Sequence, residues 1–217
     1  MSTTRSRNGR RAPVARSRRE EYSESTRAAL VDSAIEHFAE NGYARTSLDA
    51  VASAARVTKG ALYHHFPGGK KALFSAAFDQ IEHDVHQRLV ELVKAEQGSP
   101  WDAAEVALSA FLDMCQEPVY RRVVWQEGPH VLGFAEWSAC EERYSLGLLV
   151  TMLQELMDGG QIVRLPVEPL ARTMSGALAG AATAMSVAED PARVRAEFEQ
   201  VIARLLQGLR PAPEGLA

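Results

Sequence analysis

Thr46, Thr58, Lys59, Gly60, Tyr63, His64 and Lys70 stand close together in the chain. Their groups are hydroxyls, a phenol, an imidazole and two ammonium ions beside one glycine. That set suits hydrogen bonding to base edges and pairing with phosphates, because each group is short or flexible and most can donate. Thr46-Ser47-Leu48-Asp49 resembles a capping box and should open a helix over 47–54, with the Thr46 hydroxyl available to free amides. Residues 55–57 read as a tight turn, Thr58 as a second N-cap, and 58–65 as a short helix closed by Phe66-Pro67-Gly68-Gly69. Leu48, Val51, Ala52, Val57 and Leu62 fall where two crossed helices would share a core. Thr58, Lys59, Gly60, Ala61, Tyr63 and His64 would then face outward, fit to enter a major groove. Gly60 costs a helix about 1 kcal/mol, but lets a backbone come close. Thr46 and Lys70 flank the helix where each could hold a phosphate. The blander alternative is a three-helix module with a solvated polar face.

The charge distribution fits an anionic partner. The net charge of −4 hides an N-terminal stretch, 1–19, with seven arginines and no acid, and a body, 72–217, carrying −10. Residues 1–21 lack apolar periodicity and should form a basic disordered arm. Such an arm could lie along DNA and add a salt-dependent term, or could simply be solvated. Cys115 and Cys140, each in a helix-like stretch, suggest a reduced, cytoplasmic protein. Ser17-Arg18-Arg19 is followed by Glu20, Glu21 and Glu24 where an export signal needs an apolar run. The most apolar long stretch, 170–188, contains Arg172 and many small residues, so no membrane span is expected.

The elements that must position these residues all read as helix, about nine in number, with no competing strand signal. Leu30, Val31, Ala34, Ile35 and Phe38 mark one face of a helix over 22–41, stopped by Asn41-Gly42, with Tyr43 packing back. A long helix follows from Lys70 to about 97, then helices over 99–117, 118–126, 134–158, 167–188 and 191–209, with 128–133 as a loop. The fold class is all-α: an N-terminal three-helix helix-turn-helix unit over 22–68 and a helical bundle over 69–217.

Phe38-Ala39-Glu40-Asn41-Gly42-Tyr43, Thr46-Ser47-Leu48, the run from Val57 to Phe66, Lys70 and Ala72-Leu73-Phe74 together resemble the tetracycline-repressor (TetR) family of bacterial transcriptional regulators. The resemblance implies an all-helical homodimer that binds a palindromic operator, with Thr46, Thr58, Lys59, Gly60, Tyr63, His64 and Lys70 at the DNA. Leu62 and Phe66 look like core, and His65 could contact a phosphate or support the fold. The sequence departs from the family at Arg56, where glycine is usual; in the longer Gly68-Gly69 link; and at Lys71, which replaces an acid. A left-handed backbone at Arg56 would cost about 1 kcal/mol or more.

In the body, Phe111, Met114, Cys115, Trp125, Phe134, Trp137, Tyr144, Met152 and Met174 should point inward, and Trp125, His130, Trp137 and Tyr144 add polar handles. Singly each reads as core; as a set, Phe111, Met114, Trp125, His130, Phe134, Trp137, Tyr144 and Met174 suggest a pocket for a small apolar or aromatic effector. Gly176, Gly180 and Ala184 recur every fourth residue, opposite a broad apolar face with Phe198, Val201, Ile202, Leu205 and Leu206. A four-helix interface between two copies, or packing within one copy, would use them. Asp79, Glu82, His83 and His86 lie opposite the apolar stripe of the long helix, so a solvated face is the expectation over a metal site. No cofactor and no catalytic signature is expected. Two rival readings are a regulator controlled by a protein partner and an all-helical carrier or enzyme with a vestigial DNA module.

Overall fold

The computed structural model describes residues 18–212, and among them every regular element is helical. The expected 1–21 arm lies largely outside the described residues; its last four positions already belong to α1 (Arg18–Arg45). That helix is broken at Gly42, whose φ of 75° and ψ of 166° only glycine adopts readily. Tyr43 folds back as its position past the break suggests, stacking on Phe38 at 5.9 Å and meeting Phe74 edge-on at 5.4 Å.

Two short helices, α2 (Leu48–Ala54) and α3 (Lys59–His65), cross above α1. The turn between them places Arg56 at φ 57°, the left-handed backbone that its position implied. Two hydrogen bonds hold it there, Arg56 N–H to the Ser53 carbonyl and Val57 N–H to the Ala52 carbonyl. Leu30, Phe38, Val51, Leu62, Phe66 and Phe74 form the shared core, all buried. The Ser33 hydroxyl donates to the Val51 carbonyl at 3.1 Å and ties α1 to α2.

From Gly69, itself at φ 64°, α4 (Gly69–Ala95) runs about 40 Å at 1.5 Å per residue. Its first half packs on α1 and its second half enters the body. There it meets α5 (Pro100–Met114) and α8 (Phe134–Asp158), with α9 (Val167–Val187) and α10 (Pro191–Gln207) closing the bundle. Ser99 and Asp102 make a full capping box at the start of α5. Arg195 of α10 bridges to α5 through Asp113 at 2.6 Å and the Ser109 hydroxyl at 2.8 Å.

The sequence misses one region. After α6 (Pro118–Tyr120) the chain widens into a π-helical segment, Arg121–Glu127, and continues as α7 (Gly128–Leu132) where a loop is expected. The wider turn brings the Val124 carbonyl to the Trp137 indole N–H at 3.1 Å and the Gln126 amide to the Ser186 carbonyl. Tertiary partners thus stabilise a backbone that local periodicity cannot signal. The extra short pieces raise the described count above nine.

Candidate nucleic-acid interface and effector cavity

α3 begins at a true cap: the Thr58 side chain accepts from Ala61 N–H at 3.2 Å, which leaves the threonine exposed at the helix tip. One helical turn of spacing then puts Lys59, Gly60, Tyr63 and His64 on one exposed face, with Tyr63 at 45% exposure. Leu62 and Phe66 point the other way into the core. A Cβ placed at Gly60 would meet only the Thr58 hydroxyl, at 3.9 Å, so the face is open there to a close approach.

The Lys59 ammonium is held by Asp49 of α2 at 2.8 Å, with both side chains largely exposed. The hydrogen bond and charge of Asp49 push the Lys59 pKa above its ordinary value, so the cation is fully charged at neutral pH. Lys70 at the start of α4 sits over the Tyr43 ring at 4.6 Å and donates to the Ala44 carbonyl at 3.1 Å. It thereby caps the end of α1, near the same surface. His65 is half-buried; burial first, then His64 and Arg27, push its pKa down. Arg27 itself lies over the Phe66 ring at 5.3 Å.

Thr46 is a correction. It is only 3% exposed, and its hydroxyl lies 2.9 Å from both the His37 and Gly42 carbonyls, to which it donates. Its own N–H is spent on the Gly42 carbonyl. The N-cap of α2 is Ser47, which accepts from Ala50 N–H at 3.1 Å. The Thr46 hydroxyl is therefore buried against the end of α1, turned away from the exposed surface where the sequence places a phosphate contact.

The body holds a partly open cavity of about 120 Å³ between α4, α5, α6, α8, α9 and α10. Phe111, Tyr144 and Met174 line it, as the inward pattern suggests. Met114, Trp125 and Trp137 do not: they are buried elsewhere, the two indoles edge-to-face at 5.7 Å. His130 is exposed on α7, and Phe134, straight after Gly133, is 74% exposed. Helical periodicity separates inside from outside but does not separate core from cavity wall. Glu82 and His86, read as a solvated face, both line the cavity, and Glu82 is 4% exposed. The missed signal is their spacing with Val85 and Leu89, which completes one helical face.

Ile202 is a second correction, 2% exposed and lining the cavity within one protomer. The outward stripe of α10 is instead Phe198, Val201 and Leu205, the last two each 55% exposed. On α9, a methyl group at Gly176 or Gly180 would meet only open space beyond its own helix, and Ala184 is half-buried.

The sequence matches two family models. One, described as bacterial regulatory proteins of the tetR family, covers residues 30–77; the other, a tetracyclin repressor-like C-terminal domain, covers 101–209. The chain is 29% identical over 157 residues to the transposon Tn10 TetC protein of Escherichia coli, spanning 72% of this chain and 78% of that one. It is 37% identical over 79 residues to the HTH-type transcriptional regulator TtgR of Pseudomonas putida, about a third of each chain, at 36% and 37%. A solved TetR-family regulator from Pectobacterium atrosepticum superposes with a TM-score of 0.81 at 33% identity, covering 92% of this chain and 100% of that one. The outward face of α3 thus belongs to a helix-turn-helix unit on a TetR-type body, and the chain is a member of the TetR family of bacterial DNA-binding transcriptional regulators.

Proposed function

We propose that this protein is a cytoplasmic repressor that occupies a palindromic operator as a homodimer and releases it when a small effector enters the body cavity. Residues 22–68 form the DNA-binding unit, and 69–217 the effector-binding and dimerisation unit. The observation that carries the reading is the exposed α3 face bearing Thr58, Lys59, Gly60, Tyr63 and His64, open at Gly60. Lys70 would add a phosphate contact once its ammonium turns from Ala44. Two copies would pair through the small-residue face of α9 with Gly176, Gly180 and Ala184, and the Phe198, Val201 and Leu205 stripe of α10.

Release follows from geometry. The dimer must hold its two α3 helices about 34–36 Å apart to reach successive major grooves. α4 reaches from Lys70 at the DNA unit to Glu82, Val85 and His86 at the cavity, so an effector favouring another tilt of α4 shifts the population from the DNA-competent form. The cavity supports a small-molecule effector over control by a protein partner, and no part of the reading requires catalysis. Duplex flanking the coding gene tests the proposal. It should carry an inverted repeat that the protein binds, with Lys59→Ala and Tyr63→Ala each losing roughly ten-fold or more in affinity. Full binding by both folded variants would refute the α3 assignment.

A further inference from the structure

Among the described residues, every positive φ falls on glycine except one, the 57° of Arg56. In the left-handed region a Cβ crowds a carbonyl oxygen, so an L-residue stays there only where its surroundings hold it. Here two bonds do so: Arg56 N–H donates to the Ser53 carbonyl at 3.1 Å, and Val57 N–H to the Ala52 carbonyl at 2.9 Å. Those bonds fix the backbone of the turn and would serve glycine equally well. They give no reason for a guanidinium.

The side chain finds none within the protein either. Arg56 is exposed, and among the described residues no carboxylate, carbonyl or ring engages its guanidinium. Its neighbours Ser53, Ala54 and Ala55 are small. Between Ser47 and Phe66 the permanent charges are Asp49, Arg56 and Lys59, and Asp49 is taken by Lys59 at 2.8 Å. Arg56 is therefore the uncompensated charge of the helix-turn-helix unit.

Its place decides what that charge can meet. Thr58, two residues on, is the N-cap of α3 and stands exposed at the helix tip. Two residues of chain span at most about 7 Å, and a recognition helix enters a major groove about 12 Å wide by its N-terminal end. A residue just before that end stands over the groove wall, where the phosphates are, and not over the base edges of the floor.

We propose that Arg56 is a phosphate clamp for operator DNA, a contact at the turn beside those of α3 and Lys70. This rests on α3 meeting a duplex groove and adds a residue to that contact. A guanidinium fork can grip one phosphate through two N–H donors. Phosphates are alike at every base pair, so Arg56 adds affinity and salt dependence without changing which sequence is chosen.

Three substitutions separate the contact from the fold. Arg56→Gly removes the crowded side chain, so its urea midpoint should equal or exceed that of the parent. Arg56→Gln keeps the crowding and loses the charge, and Arg56→Lys keeps the charge. On a duplex enriched from a random library, the glycine and glutamine variants should each bind roughly five-fold or more weakly at low salt. Their plots of log affinity against log salt should be shallower by about 0.9 per chain bound, while Arg56→Lys keeps the parent slope. The loss should be equal on a scrambled duplex. An unaltered slope in the glycine and glutamine variants, or a lowered midpoint in Arg56→Gln with DNA binding intact, overturns the clamp and leaves α3 as the groove reader. A parent chain that binds no duplex overturns the α3 reading itself, and the clamp with it.

Discussion

Glu127 closes over the backbone of Gly42: a methyl group placed on that glycine would stand 2.6 Å from its Oε1 and 2.7 Å from the Arg122 guanidinium. The π-helical segment thus presses directly on the break in α1, at the point where the chain turns towards the DNA-facing helices. Both pressing atoms end flexible side chains, so they can swing aside. The backbone cannot, since φ 75° with ψ 166° is open almost only to glycine. Gly42→Ala should cost about 1–3 kcal/mol of stability, read from urea midpoints; an unchanged midpoint would show that the break relaxes freely.

Asp49 holds Lys59 across the exposed surface, and on DNA it would compete with phosphate for the same cation. An exposed pair adds little to stability. Asp49→Asn should therefore leave the thermal midpoint nearly unchanged while raising operator affinity at low salt, an advantage that shrinks as salt increases. Lower affinity in this variant would mean that Asp49 serves chiefly to aim Lys59.

His65 gives the fold a pH dependence of definite sign. Its pKa in the folded chain lies below 6.5, so the unfolded chain takes up the proton first as pH falls. The stability associated with a neutral His65 is complete above about 6.5 and is lost as pH drops through the folded value. His65→Gln should flatten that part of the stability profile. Identical profiles between pH 5 and 7 for both proteins would count against it.

Leu205 and Val201 are exposed beside a half-buried Phe198, whereas Ile202 and Leu206 turn inward. Leu205→Glu should weaken self-association at least ten-fold in sedimentation without changing helicity, because the new charge meets no core. An unaltered dimer would move the interface elsewhere.

Much of this was legible in the sequence. Leu30, Phe38, Val51 and Leu62 announce a small helical core by spacing alone, and Thr58 announces the start of α3 because its hydroxyl can accept from a free amide of the first turn. Thr46 shows where local reading ends: Thr46 and Ser47 could each cap α2, and only the nearby His37 and Gly42 carbonyls decide that Thr46 does not. α10 shows the same limit, since one broad apolar face serves the cavity through Ile202 and the exterior through Leu205. The sequence reading sets Glu82 opposite the apolar stripe and so in solvent, yet its spacing with Val85 and Leu89 puts it on the cavity wall. Hydrophobic pattern fixes which way a residue faces, and only the neighbouring helices fix what it meets.

A duplex groove is the surface that the α3 face must meet if this protein is to read an operator. The direct measurement is enrichment of a random duplex library on the purified protein, repeated at low and high salt. An inverted repeat should emerge with half-sites about 10 base pairs apart, centre to centre. Its affinity should fall steeply with salt and collapse in Lys59→Ala. A library that yields no preferred sequence at any salt concentration would contradict the assignment outright.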